Sequence, residues 1–300
     1  MSLYQVSFSV SGDQVDRLQE LLFEVDNGHW NIYLDQDTQK GTASGIYESE
    51  LESKQIWKQL APFFEELIGT IEPVFETLPD KDWKESYKDH FKPWNFEGLH
   101  WVPVWDRETY TVPEGDAVVW LDPGMAFGTG NHETTRLCIE ALIQFLQVWE
   151  LAGLSREDLS CCDAGCGSGI LAISARKMGI SKVTGFDNDP DAVRISIENS
   201  GLNQLVGEID FIEGDLESGF QQKIYHLVFA NILGSILVKH PYALLTAVKP
   251  GGRLILSGIL EKEMNEVRDV YRDKLVRLGK TATFSSHSLG EWSDIVIDFD

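Results

Sequence analysis

Hydrophobic and polar positions alternate over residues 4–10, and apolar residues then recur as Val15, Leu18, Leu22 and Val25. Alternation predicts a strand with one buried face, and the wider spacing predicts an amphipathic helix over 13–25. Residues 29–34 and 42–47 read as two further strands flanking a polar stretch that ends at Gly41. Helical spacing returns over 51–67, and 70–78 reads as a fourth strand. The order βαββαβ predicts a small ferredoxin-like α+β domain over residues 1–80. Nothing in it has the look of a catalytic cluster.

Residues 81–115 are expected to be a connector, dense in aromatic side chains that include Trp83, Tyr87, Phe91, Trp94, Phe96, Trp101 and Trp105. Two readings suit them: a staple between domains, or a substrate-facing surface, since Trp and Tyr dominate binding hot spots. A helix over 81–91 fits the spacing, whereas the segments around Pro93 and Pro103 do not allow a long one.

From residue 116 onward strands alternate with helices, which predicts a mostly parallel sheet in a Rossmann-like α/β domain over 116–300. An apolar strand over 118–121 runs into a loop with Gly124, Gly128 and Gly130, and a helix opens near Glu133. The central unit is Cys161-Cys162-Asp163, then Gly165, Gly167 and Gly169 at alternate positions, a helix over 170–178, and a strand over 182–187 that ends on Asp187. Further steps follow as helix 192–199, strand 209–212 before Gly214-Asp215, and strand 226–230 before Asn231. A helix over 237–248, a turn at Pro250-Gly251-Gly252 and a strand over 253–257 come next. A helix over 261–278 and a hairpin of strands 281–286 and 294–299 close the chain.

The glycine turn carries the chemistry. Glycines between a strand and a helix admit a ligand against bare backbone and aim the helix N-terminus at it. A carboxylate about 20 residues further on, ending the next strand, suits a ribose diol. A dinucleotide fingerprint is G-x-G-x-x-G, but here the spacing is G-x-G-x-G, with Ile170 where the third dinucleotide glycine belongs. With Asp163 ahead of the turn, the string resembles the first motif of S-adenosyl-L-methionine-dependent methyltransferases.

Composition changes the picture in three respects. The 43% hydrophobic content suits a globular chain, no apolar run reaches about 18 residues, and no apolar signal segment follows Met1, so a membrane span or secretion is not expected. The four cysteines, Cys138, Cys161, Cys162 and Cys166, gather near the core motif and are expected to be reduced, in keeping with a cytoplasmic protein. The net charge of −23 disfavours a nucleic-acid partner, and it suits either a basic partner or simply solubility.

Three motifs then stand together: LDPGMAFGTGNHETT from Leu121, DAGCGSG from Asp163 and ANIL from Ala230. With the ferredoxin-like unit and the WKESYKDHFKPW stretch, the chain resembles the bacterial methyltransferases of large-subunit ribosomal protein eleven. The resemblance implies a class I methyltransferase fold, with a mostly parallel seven-stranded sheet and the small N-terminal domain holding the protein substrate. It also implies methylation of lysine ε-amino and N-terminal α-amino groups of a basic ribosomal protein. The family's cofactor contacts carry over to Thr135, Gly165, Asp187 and Asn231. Beside them, Gly167 and Gly169 share the turn, Asp163 precedes it, Phe127, Gly128 and Thr129 are expected over the sulfonium end, and Asp215 is a candidate for the adenine amino group or simply a turn residue.

Asn231 is the catalytic candidate. Many amino-methylating enzymes carry Asn-Pro-Pro-aromatic at this strand end, whereas here the residues are Asn-Ile-Leu-Gly. The platform for a planar base or amide is thus absent, and a flexible aliphatic amine fits better. No residue is assigned as proton acceptor; His132 is either a base or a structural loop residue. Other readings share part of this pattern: a methyltransferase of another protein, a small molecule or nucleic acid, a nicotinamide-dependent oxidoreductase, or a cofactor-binding regulatory module without turnover.

Overall fold

The computed structural model describes residues 3–25, 30–35, 40–78, 92–122 and 133–300. The chain divides into two compact units between His90 and Phe91.

The first unit has the element order expected from the pattern: β1 (Leu3–Ser11), α1 (Gly12–Val25), β2 (Trp30–Asp35), β3 (Lys40–Tyr47), α2 (Glu50–Ile68) and β4 (Val74–Leu78). Its antiparallel sheet runs β2-β3-β1-β4. Alternation decides the faces: Val6, Phe8 and Val10 of β1 are buried against Leu18 and Leu22 of α1 and Phe64 of α2. Ser49 starts α2 by accepting the Glu52 N–H on its hydroxyl, so local capping and global packing agree on where that helix begins.

The second unit opens with a three-stranded sheet of β5 (Trp94–Phe96), β6 (Leu99–Pro103) and β7 (Ala117–Leu121). This corrects the expectation of a connector for its described part. Trp94 and Trp101 stack with centroids 3.9 Å apart. Trp101, only 1% exposed, donates its indole N–H to Ser174 Oγ at 2.9 Å. The aromatic density here builds the core of the second unit. The 81–91 helix lies outside the described residues.

The main sheet comprises β8 (Ser160–Ala164), β9 (Lys182–Asp187), β10 (Ile209–Glu213), β11 (Tyr225–Asn231), β12 (Val248–Leu260), β13 (Ala282–Ser285), β14 (Ser288–Leu289) and β15 (Trp292–Phe299). Its order is β10-β9-β8-β11-β12-β15-β13, with β14 paired to β15. The first five strands pair in parallel, and β15 is inserted antiparallel between β12 and β13. The helices are α3 (Glu133–Leu151), α4 (Ile170–Lys177), α5 (Pro190–Leu202), α6 (Gly234–Lys239), α7 (Pro241–Thr246) and α8 (Met264–Leu278). β8 is buried at every position, as a central parallel strand covered on both faces must be. Its adjacent thiols face opposite ways: Cys161 joins the core cluster with α3 and α4, Cys162 the one with α6 to α8. All four cysteines are free and buried, as expected.

Two expectations need correction. The helix over 237–248 is broken into α6 and α7 at His240-Pro241, because proline has no N–H to continue the ladder. The Pro250-Gly251-Gly252 turn lies inside β12, where a register shift against β11 between Tyr225 and Leu227 absorbs the irregular backbone.

Candidate functional site

The candidate site forms at the carboxyl ends of β8, β9 and β11, where open α/β sheets bind ligands. β8 ends at Ala164, and the next residues turn sharply because Gly165, Gly167 and Gly169 all take positive φ, at 76°, 51° and 77°. At Gly165 a Cβ would lie 2.5 Å from Ile232 Cγ2, and at Gly169 it would lie 2.8 Å from Ser196 Cβ. Only glycine satisfies both the conformation and the space. The turn is tied to β9 by the Gly165 and Cys166 N–H groups, which donate to the Phe186 carbonyl at 2.8 and 2.9 Å.

Asp187 ends β9 as expected, and its carboxylate is already structural. Oδ2 accepts the Gly167 N–H at 2.9 Å and Oδ1 accepts the Asp189 N–H at 3.0 Å. A carboxylate oxygen carries two lone pairs, so each retains one for the hydroxyls of a diol.

Asp163 occupies a different position from the one expected of a cofactor contact. It is 1% exposed, and Oδ2 accepts the Ala172 N–H at 3.0 Å. Burial pushes its carboxyl well above the ordinary carboxylate range, against the lowering effect of that hydrogen bond. The side chain holds strand to helix beneath the turn. Asp215 likewise turns inward on its own segment: Oδ1 accepts from the Ser218 hydroxyl at 2.7 Å and from the Ser218 and Glu217 N–H groups at 2.8 and 3.0 Å. The Ser218 hydrogen bonds hold its pKa below the usual value. This geometry favours the turn-residue reading of Asp215 over an adenine contact.

Asn231 and Thr135 supply the telling feature. Asn231 ends β11, and its Oδ1 is buried with no hydrogen-bond partner among the described residues. Thr135, in the first turn of α3, buries an equally unpartnered Oγ1. Buried polar atoms are nearly always satisfied, and leaving one bare costs about 1–3 kcal/mol. Two such atoms beside a backbone-lined turn and a strand-end carboxylate fit a nucleoside ligand with polar substituents at its other end. Phe127, Gly128 and Thr129, together with His132, lie outside the described residues.

Sequence reasoning missed two buried asparagines, Asn199 on α5 and Asn203 at its C-terminal cap. Asn203 accepts the Trp120 N–H on Oδ1 at 2.8 Å and donates Nδ2 to the Trp120 carbonyl at 2.7 Å, so a side chain pairs with β7 as a strand would. Asn199, 2% exposed, donates to the Ser168 carbonyl at 2.9 Å and accepts the Asp122 N–H at 3.4 Å, joining the end of β7 to the glycine turn. Their signal was two asparagines one helical turn apart in an otherwise amphipathic stretch.

Five parallel strands, one antiparallel strand inserted before the last, and a glycine turn after the central strand define a class I methyltransferase. Within that class, the chain belongs to the ribosomal protein L11 methyltransferase family, whose sequence model matches residues 6–298. The chain is similar to the ribosomal protein L11 methyltransferase of Vibrio cholerae, 36% identical over 276 residues that cover 91% of this chain and 86% of that protein. It is 42% identical to the one from Aliivibrio fischeri over 202 residues, 66% of this chain and 63% of that protein, so this match spans just under two thirds of the relative's length. A solved structure of a ribosomal protein L11 methylase from Lactobacillus delbrueckii subsp. bulgaricus superimposes with a TM-score of 0.59 at 27% identity, covering 70% of this chain and 99% of that chain.

Proposed function

We propose that this chain transfers methyl groups from S-adenosyl-L-methionine to amines of ribosomal protein L11, both lysine ε-amino groups and the N-terminal α-amine. The observation that carries the reading is the buried Asn231 Oδ1 at the end of β11, which has no hydrogen-bond partner among the described residues. An amide oxygen can accept a hydrogen bond from an amine N–H and thereby aim the nitrogen lone pair, and in-line displacement is governed largely by such aim. No rigid aromatic platform follows Asn231, since the next residues are Ile232 and Leu233, which suits an aliphatic amine.

Gly165, Gly167 and Gly169 would receive the cofactor against bare backbone, with Asp187 accepting from the ribose hydroxyls and Thr135 Oγ1 meeting a polar atom. The bound cofactor supplies a methyl group on a positively charged sulfur. An amine that has shed its proton, against an ordinary pKa near 10.4 for a lysine and about 7.7–8.0 for an N-terminal α-amine, would receive that methyl group, with Asn231 Oδ1 aiming its lone pair.

The net charge of −23 supports a basic protein partner and disfavours direct nucleic-acid binding. Among its described residues the first unit holds no catalytic cluster, which suits substrate recognition. Among the described residues no helix is long and apolar enough to cross a membrane; action on a ribosomal protein implies a cytoplasmic enzyme. The test is incubation with labelled S-adenosyl-L-methionine and unmethylated ribosomal proteins, followed by mass spectrometry. Methyl increments on L11 lysines and its N-terminus are expected, and label found only elsewhere overturns the assignment.

A further inference from the structure

The ladder between β8 and β11 pairs Leu227 with Cys161, Val228 with Cys162 and Phe229 with Asp163, and ends there. Beyond it, Gly165 on the cofactor side and Asn231 on the amine side belong to strand ends that no mutual ladder hydrogen bond holds. One side chain bridges the gap. Ile232 Cγ2 stands where it would lie 2.5 Å from a Cβ at Gly165. On its other side, the Ile232 carbonyl oxygen would lie 2.5 Å from a Cβ at Gly258, which has φ +79°. The Ile232 N–H donates to the Ser257 carbonyl at 3.2 Å, and its side chain packs against the α6–α8 core cluster. Ile232 is therefore gripped between two positions at which only glycine fits, directly after the residue that faces the amine.

We infer that Ile232 is a positioning residue that sets the separation of the glycine turn from Asn231, and so of methyl donor from amine acceptor. This rests on the methyl-transfer reading above. Packed interiors transmit such spacers stiffly, because close-packed side chains leave no slack. The contacting atom is the β-branch, which valine keeps and leucine lacks. The requirement is therefore for branching at Cβ as well as for hydrophobicity.

The test compares Ile232→Ala, Ile232→Val and Ile232→Leu in the full chain. Four quantities are read: S-adenosyl-L-methionine affinity, thermal unfolding, single-turnover methylation of L11, and the NMR response of the Asn231 side-chain amide to S-adenosyl-L-methionine. For Ile232→Ala, affinity is expected within about threefold of the wild type, while the single-turnover rate falls at least about tenfold, the scale of misplaced reacting groups. The Asn231 amide should cease to respond to cofactor in that variant. Ile232→Val should restore rate and response, and Ile232→Leu should restore neither. Unchanged rate and response in Ile232→Ala overturn the inference, as does equal rescue by leucine. So does a loss of rate that merely parallels losses of affinity and stability. Should the wild type fail to methylate L11, the functional reading falls by itself, and the NMR response alone decides the role of Ile232.

Discussion

Asp187 Oδ2 accepts the Gly167 N–H at 2.9 Å across 20 residues of chain, so the strand-end carboxylate holds the glycine turn it is expected to serve. Asp187→Ala should therefore both release the turn and remove the acceptor for the ribose. The expected loss is about 1.5–3 kcal/mol in S-adenosyl-L-methionine affinity, the range for hydrogen bonds to a charged group. Titration calorimetry measures it. Wild-type affinity in the variant would restrict Asp187 to shaping the backbone.

Asn231→Ala should slow methyl transfer far more than it weakens cofactor binding. The amide is expected to meet the amine most strongly as the methyl moves, and interactions confined to the transition state appear in kcat. Loss of an aligned donor or acceptor of this kind costs about 10²–10³-fold. Single-turnover kinetics on L11 give the rate and calorimetry gives the affinity. An unchanged single-turnover rate removes Asn231 from the chemistry.

Gly165→Ala should destabilise the second unit by about 1–3 kcal/mol, the cost of a strained non-glycine backbone. The φ of +76° and the 2.5 Å approach of Ile232 Cγ2 both act against a methyl group there. Thermal unfolding of Gly165→Ala, Ile232→Ala and the double variant separates the two contributions. Because the residues touch, the double variant should be more stable than additivity predicts, by at least about 0.5 kcal/mol. Strict additivity would show that backbone strain alone sets the cost.

Stability should fall as the pH drops below the ordinary histidine value of 6.5, through His226. The Ser160 backbone N–H donates to its Nδ1 at 3.0 Å, so the folded ring is held with that nitrogen bare. Burial, then the charges of Lys249 and Lys182, lower its pKa. A depressed folded pKa means that the unfolded chain takes the proton first. The contribution is thus whole above 6.5 and lost as pH falls through the folded value. Melting curves of the wild type and His226→Gln across this range provide the check. The variant should show the shallower dependence, and parallel curves would assign the effect to other groups.

Removing residues 1–90, the first compact unit, should leave S-adenosyl-L-methionine affinity within a few-fold, since every described candidate contact lies in the second. If the first unit holds the protein substrate and so raises the local concentration of the target amine, methylation of intact L11 should drop by about 10–100-fold. Circular dichroism and thermal unfolding establish that the shortened chain is folded before rates are compared. Equal rates on L11 would make the first unit a stabilising or dimerising element.

The features legible in the sequence are those with a local physical cause. Alternation and helical spacing predicted the βαββαβ unit because burial of one face follows from backbone period alone. The three glycines announced the turn because positive φ is a property of single residues, and Asp187 and Asn231 could be placed at strand ends by counting from apolar runs. What the tertiary structure decided depends on partners distant along the chain. Asp163 and Asp187 are both aspartates flanking the same turn, yet the Ala172 N–H and the surrounding core enclose Asp163, whereas Asp187 meets the Gly167 N–H at the strand end. In the aromatic stretch, Trp101 joins the core of the second unit and finds Ser174 across 73 residues. Asn203 acts as a strand neighbour to Trp120 only because the fold brings together positions 83 residues apart. Ile232 reads as an ordinary aliphatic residue until Gly165 and Gly258 are seen on either side of it. Periodicity encodes which face a residue turns inward, but not which atom it meets there, and at this site the atoms met are what set Asp163 and Asp187 apart.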